Sequence, residues 1–396
     1  MPRFVSTLAL CLLACESPPA LSGDAAPAAR DAARDGGEDA ASGAPDASGE
    51  DAGTPPDAGD AAAAGPRADG VTGTLADGEV VTIAWDGEHG FGDLGPEVLV
   101  FDRFEGTPGN EIPLESPEVG LWTGAGGNPA LFSEETARSG STAMLAYDGE
   151  SGAMRQLRLR FEPRDELFLS FWVALPEGSR FPGRDHLPSG FSMDSSWKFT
   201  WVFDGSDGFG HDGRYDQCLP THTGRGAFAI GGNDGNWSWL SNDWFGWSTW
   251  TRITVRGRPG AEPSVDDGEG FFQAVSALGH HRRELDDRPM YQGGTERFDR
   301  LNVPGWIRTG GDGAVRPHYD DVYFAAGPGA AARVELGDAE DYASCTNLVM
   351  AIPLRWTDTE LEVRLHGNRD METFEGAWIH VHDADDRAVG APRAIR

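Results

Sequence analysis

The sequence predicts an all-β protein. Glycine (54) and proline (26) are abundant among its 396 residues. Short runs rich in β-branched and aromatic residues alternate with clusters of Gly, Asp, Asn and Pro, the punctuation of strands and turns. Long runs of helical period are hard to find. The net charge of −32 speaks for a hydrated surface and against a nucleic-acid partner, since phosphate binding needs clustered Lys and Arg. No stretch of about 20 apolar residues offers a membrane-spanning helix.

Residues 1–15 read MPRFVSTLALCLLAC. Arg3 precedes an apolar run, Phe4 to Ala14, that is too short to span a bilayer and suits the core of a signal peptide. Its end, Leu12-Leu13-Ala14-Cys15, resembles the bacterial lipobox. The resemblance implies cleavage before Cys15, lipidation of its thiol and a membrane partner reached through that lipid. Glu16 follows, and within the resemblance this favours the outer membrane of a Gram-negative-type cell envelope. The alternative is an ordinary signal peptide with an incidental cysteine.

Residues 16–70 are almost wholly Ala, Gly, Asp, Glu, Pro and Ser, with twelve acidic residues against three arginines. Without aromatics such a segment cannot bury enough surface to offset chain entropy, so it reads as a disordered linker. A coil of this length holds the next element roughly 40 Å from its anchor. If Cys11 leaves with the signal and Cys15 takes lipid, Cys218 and Cys345 remain as one pair in an oxidising compartment. A Cys218–Cys345 disulfide and two buried free thiols both stay open, because spacing alone decides nothing.

Ordered sequence starts near Val71. Val80, Thr82 and Ala84 oppose Val81, Ile83 and Trp85, and a Gly-rich turn leads to Val98-Leu99-Val100-Phe101. This stretch resembles the opening of an IPT/TIG domain, a small immunoglobulin-like sandwich. The character then changes at Phe104-Glu105-Gly106. Trp356-Thr357-Asp358-Thr359-Glu360-Leu361-Glu362-Val363 and Gly376-Ala377-Trp378-Ile379-His380-Val381 resemble the later strands of the same family. Segments 71–103 and 333–396 together hold 97 residues, close to one such sandwich of about 100. The expectation is an IPT/TIG-like domain split around an inserted one; two separate small β modules are the alternative.

The inserted segment, 104–332, carries Ala137-Arg138-Ser139-Gly140-Ser141-Thr142-Ala143-Met144 and Asp320-Asp321-Val322-Tyr323-Phe324-Ala325. Both resemble stretches of concanavalin A-like lectin/glucanase and laminin-G-like folds, which implies a jelly-roll sandwich. Arg155–Phe161 alternates as a strand, as does Trp250–Arg258. Glu166–Val173 is apolar on both sides and reads as a central, doubly covered strand. In this fold the concave sheet is the groove for glycans, and the architecture alone names no substrate.

Seven of the 13 tryptophans fall between Trp197 and Trp250. In Ser195–Phe203, period two puts Trp197, Phe199, Trp201 and Phe203 on one face, expected in the core, and Lys198 and Thr200 on the groove face. Trp237, Trp239, Trp244 and Trp247 sit among Asn, Gly and Ser and are candidate platforms for sugar rings. With Lys198, His222, Arg225 and Asn233 they make the candidate glycan-binding set.

The resemblance also admits a polysaccharide lyase, in which Tyr and His act as base and acid while Arg or Asn neutralises a uronate carboxylate. His222, Arg225 and Tyr319 supply those residue types without a matched motif, and His222 and His318 read equally as surface-loop histidines. No strand carries the paired carboxylates of a retaining hydrolase. Asp204, Asp207 and Asp212 lie in a carboxylate-rich loop of the kind calcium uses, although Asp-Gly is also ordinary turn chemistry. No other cofactor is implied. Three functions follow: non-catalytic polysaccharide or glycan binding by an envelope lipoprotein, a polysaccharide lyase or glycoside hydrolase, or a scaffold without a glycan ligand.

Overall fold

A computed structural model describes residues 69–85, 90–148, 154–175, 197–203, 214–218, 228–231, 238–240, 249–258, 268–284, 297–307 and 316–396. They form three antiparallel sheets without an α-helix. An eight-stranded sheet contains β5 (Gly124–Gly127), β8 (Arg155–Arg164), β10 (Trp197–Phe203), β11 (Arg214–Cys218), β12 (Phe228–Gly231), β13 (Ser238–Leu240) and β17 (Phe298–Val303). Its order is β13-β12-β11-β10-β17-β8-β5, and β18 (Trp306–Ile307) also pairs with β10.

A nine-stranded sheet contains β3 (Val98–Asp102), β4 (Val119–Gly120), β6 (Leu131–Ser133), β7 (Ala143–Leu145), β9 (Leu167–Ala174), β14 (Trp250–Arg258), β15 (Glu269–Ser276), β16 (Gly279–Glu284) and β19 (His318–Ala326). Its main order is β16-β15-β14-β9-β19-β3-β4, with β7 on β19 and β6 on β7. The third sheet has seven strands: β1 (Val71–Gly73), β2 (Val80–Ala84), β20 (Arg333–Gly337), β21 (Leu348–Trp356), β22 (Glu360–Arg364), β23 (Trp378–His382) and β24 (Arg393–Ala394). Its order, β1-β2-β22-β21-β20-β23-β24, pairs residues 80–84 with 360–364.

Side-chain alternation explains the layers. Leu157 and Leu159 on β8, Leu301 and Val303 on β17, and Phe199 and Val202 on β10 meet Leu169, Phe171, Ile253, Val255, Phe272 and Phe324 from the nine-stranded sheet. The two sheets thus enclose one jelly-roll core. The nine-stranded sheet is covered on its other face too, where Phe101, Phe168, Phe271 and Tyr323 pack with Met350 and Ile352 of β21. That double cover is why all eight residues of β9 are buried, as its mostly apolar, non-alternating run predicts. The third sheet also encloses a core of its own, with Val81, Ile83, Val334, Val349, Leu361, Val363 and Ile379.

The second interface is polar at its centre. Arg252 Nη1 donates to Glu335 Oε1 (2.5 Å) and Arg333 Nε to Glu335 Oε2 (2.7 Å), with all three side chains at most 1 % exposed. Tyr342 Oη donates to the same carboxylate (2.7 Å), and Arg333 reaches Asp386 (2.5 Å). Burial by itself would raise the Glu335 carboxyl; the guanidiniums of Arg252 and Arg333 instead hold it well below its ordinary value.

The two lectin-like motifs interlock. Asp320 Oδ2 accepts the backbone N–H groups of Arg138 (2.7 Å) and Ser139 (3.0 Å), while Ser139 Oγ donates to Asp321 Oδ1 (2.7 Å). Gly140 has φ +47°, and the Glu105 carboxylate occupies the space a Cβ would need. A side chain there would carry both left-handed strain and a clash.

Several expectations change. The strand Val98–Asp102, assigned to the first small-domain segment, pairs with β19 and β4 of the nine-stranded sheet. Its apolar residues fit either sheet, and long-range pairing decides. On β10 the four aromatics do not share a face. The register shifts between Lys198 and Thr200, so Phe199 and Val202 enter the core and Trp201 lies on the opposite side with Asn302.

Tyr319 lies between the sheets, fully buried, its hydroxyl donating to Phe199 O (3.0 Å). It is a core residue and not a groove base, because strand alternation on β19 turns it inward. His318 is likewise a buried strand residue and not a loop histidine. Cys345 is a buried free thiol, not bridged to Cys218 in this structure. Cys218 belongs to the eight-stranded sheet, whereas Cys345 packs with Val275 and Leu348 against the far side of the nine-stranded one. One sheet therefore stands between them.

Candidate functional site

The eight-stranded sheet has a face turned away from the core, and β8 and β17 supply most of its described side chains. On β8 the sequence Gln156-Leu157-Arg158-Leu159-Arg160 sends leucines inward and Gln156, Arg158 and Arg160 outward. On β17, Leu301 and Val303 go inward and Arg300 and Asn302 outward. The register then places Arg160 opposite Arg300 and Arg158 opposite Asn302, with Asn302 opposite Trp201. Directly opposed residues have Cβ atoms about 5 Å apart, so three guanidiniums share a small area.

Neighbouring groups hold this area in place. Gln156 is buried and donates through Nε2 to Pro304 O and Gly305 O (both 2.8 Å). Its Oε1 accepts from Arg158 Nε (2.6 Å), which fixes the guanidinium. Strand β5 contributes glycines at the flank: Gly124 lies opposite Arg158 and Gly126 opposite Gln156. A Cβ at Gly126 would collide with the Arg158 guanidinium, so the bare backbone there makes room for it.

The electrostatics are unusual for so acidic a chain. Burial, and then the charges of Arg300 and Arg160, push the Arg158 guanidinium below its ordinary value. Other arginines of β8 are neutralised: Arg155 meets Asp148 (2.8 Å) and Arg164 meets Glu97 (2.9 Å). Among the described residues, no carboxylate bonds Arg158 or Arg160. Like charges set opposite each other across strands are destabilising. Such a cluster has the chemistry to bind carboxylates or sulfates along a polymer.

The predicted site residues distribute differently. Lys198, the chain's single lysine, lies on β10 and pairs with Cys218 and Trp306. Trp239 pairs with Ala229 on the outer strands β12 and β13 of the same sheet. The side chains of Lys198, Cys218 and Trp239 lie outside the described residues. So do Cys15, Asp204, Asp207, Asp212, His222, Arg225, Asn233, Trp237, Trp244 and Trp247. Arg158, Arg160, Arg300, Gln156 and Asn302 escaped the sequence reading. The signal was present in β8, where Arg and Leu alternate, but the partnership with β17 depends on register.

No family model matches the chain. No curated protein matches it either. Among solved structures, the alginate lyase of Aplysia kurodai is 12 % identical, covering 50 % of this chain and 87 % of its own, with a TM-score of 0.36. The alginate lyase Aly36B, in complex with alginate trisaccharide, is 12 % identical over 58 % of this chain and 98 % of its own (TM-score 0.40). Domain 4 of AbnA, an arabinanase of Geobacillus stearothermophilus bound to arabinotriose, is 11 % identical over 59 % and 94 % (TM-score 0.33). The likeness is confined to architecture.

Proposed function

We propose that this protein is an envelope lipoprotein that binds an acidic polysaccharide on the outer face of its eight-stranded sheet without cutting it. One observation carries the reading: Arg158, Arg160 and Arg300 converge on that face in a chain of net charge −32. The amide of Gln156 fixes Arg158 in place, so the guanidinium meets its ligand already oriented. The lipid on Cys15 and the acidic linker to residue 70 would hold this surface away from the membrane, and mutual repulsion would keep the linker off the polymer. We read the third sheet as the IPT/TIG-like domain, with strands from both ends of the chain.

The described side chains of the face can neutralise a carboxylate. None of them is a base suited to removing a sugar C–H proton. With Tyr319 in the core, the lyase alternative rests on His222 and Arg225.

Affinity electrophoresis in polyuronate gels, with a neutral polysaccharide as control, tests the proposal. Retardation should occur with the polyuronate, weaken with added salt, and weaken in Arg158→Ala and Arg160→Ala. Equal retardation in both gels, or none, would overturn it. Appearance of unsaturated uronate products would replace binding by lyase activity, and palmitate labelling that survives Cys15→Ala would remove the anchor.

A further inference from the structure

A second cleft opens on the far side of the nine-stranded sheet, where that sheet meets the third. It encloses about 460 Å³, within the range of small-ligand pockets. Its floor holds two indoles on one face of adjacent strands: Trp172 lies opposite Arg252, and Trp250 opposite Ala174. The Arg138 guanidinium covers Trp172 at 4.1 Å from the ring centroid, which leaves partly exposed Trp250 as the open platform. Trp250 is itself fixed, its Nε1 donating to Thr136 Oγ1 (3.2 Å).

The walls are polar and already organised. Arg138 donates to Asp370 and to Asn347 Oδ1 (2.7 Å), and Asn347 exchanges amide hydrogen bonds with Asn368. Asp338 accepts from Thr346 and Asn347. Two buried polar atoms of lining residues have no hydrogen-bond partner among the described residues, Arg138 Nε and Thr249 Oγ1. Exposed Arg369 stands at the rim. The described charged groups of the lining, two arginines and two aspartates, balance.

We infer that this cleft is a binding site for a neutral mono- or disaccharide, separate from the arginine-lined face. An indole offers a surface for the C–H face of a sugar, while fixed Asn, Asp, Thr and Arg groups exchange hydrogen bonds with its hydroxyls. Charge balance disfavours the polyanion expected on the other side of the sandwich. With both sites filled, one chain would bridge an acidic polymer and a neutral glycan.

The test is fluorine NMR of the full chain carrying 5-fluorotryptophan, titrated with maltose, cellobiose, lactose and chitobiose. The Trp250 resonance is assigned by its loss in Trp250→Phe. It should move saturably with at least one disaccharide, and Arg369→Ala, at an exposed position, should weaken that response by about fivefold to tenfold. Excess polyuronate should not displace the sugar. A resonance that stays still, or drifts linearly with every sugar, leaves only a water-filled seam and overturns the inference. Displacement by polyuronate also overturns it, by reducing two sites to one, while leaving the acidic-polysaccharide reading intact.

Discussion

Replacing Glu335 by alanine removes the one carboxylate shared by Arg252 and Arg333 at the interface between the nine- and seven-stranded sheets. Both guanidiniums are buried to within 1 % exposure, and only Arg333 keeps a second carboxylate, Asp386. Arg252 would be left as a buried charge with Ser170 Oγ (2.7 Å) as its remaining polar contact. Stranding a buried charge in this way costs about 3–5 kcal/mol. Tyr342 also loses the acceptor of its hydroxyl, which adds on the order of 1 kcal/mol.

Urea unfolding of Glu335→Ala against wild type measures the loss. The Arg252→Met/Glu335→Leu pair should recover much of it, because two apolar groups need no counter-charge. The folded carboxyl lies well below its unfolded value, so its contribution is present above about pH 4.5 and fades as pH falls through the lower folded value. A Glu335→Ala variant within about 1 kcal/mol of wild type at neutral pH would refute the reasoning.

Three further outcomes are expected. Burial pushes the His318 imidazole down to about 4, so the unfolded chain binds its proton first and stability falls from about pH 6.5 to pH 4. His318→Gln should remove roughly 3 kcal/mol of that acid sensitivity in pH-dependent melts. Gly126→Val should displace both the Arg158 guanidinium and the buried Gln156 amide, lowering polyuronate retardation and the melting temperature together, whereas Arg158→Gln, which adds no bulk, should lower retardation while leaving the melting curve nearly unchanged. Burial pushes the Cys345 thiol up to about 12. In the native chain it should therefore resist iodoacetamide until denaturant is added, and non-reducing peptide mapping should find no Cys218–Cys345 bridge.

The parts of the fold that can be read locally are those where one strand's own pattern fixes its environment. Leu157 and Leu159 alternate with Arg158 and Arg160, and that alternation marks one wet and one dry face. Leu167–Ala174 shows no alternation and is covered twice. Arg138-Ser139-Gly140 and Asp320-Asp321 were visible as motifs, although only the tertiary structure explains why the glycine is needed: its positive φ and the Glu105 carboxylate seated against it. Tyr319 misled because a tyrosine near a histidine suggests chemistry, while its strand phase points it into the core. The bulge at Lys198–Thr200 reversed the phase of β10, and period two cannot foresee an extra residue.

By itself the sequence determined that this chain builds strands, that Leu167–Ala174 is covered on both faces, and that residues 16–70 lack the apolar content of a core. These follow from composition and from neighbours a few residues apart. Tertiary structure alone decided that Arg160 faces Arg300, that Val98–Asp102 joins the nine-stranded sheet, and that Cys218 and Cys345 lie on opposite sides of it. Those are matters of register and sheet order between segments far apart in the chain. Backbone hydrogen bonding is the same for every residue pair, so only the packing of the whole set selects among them.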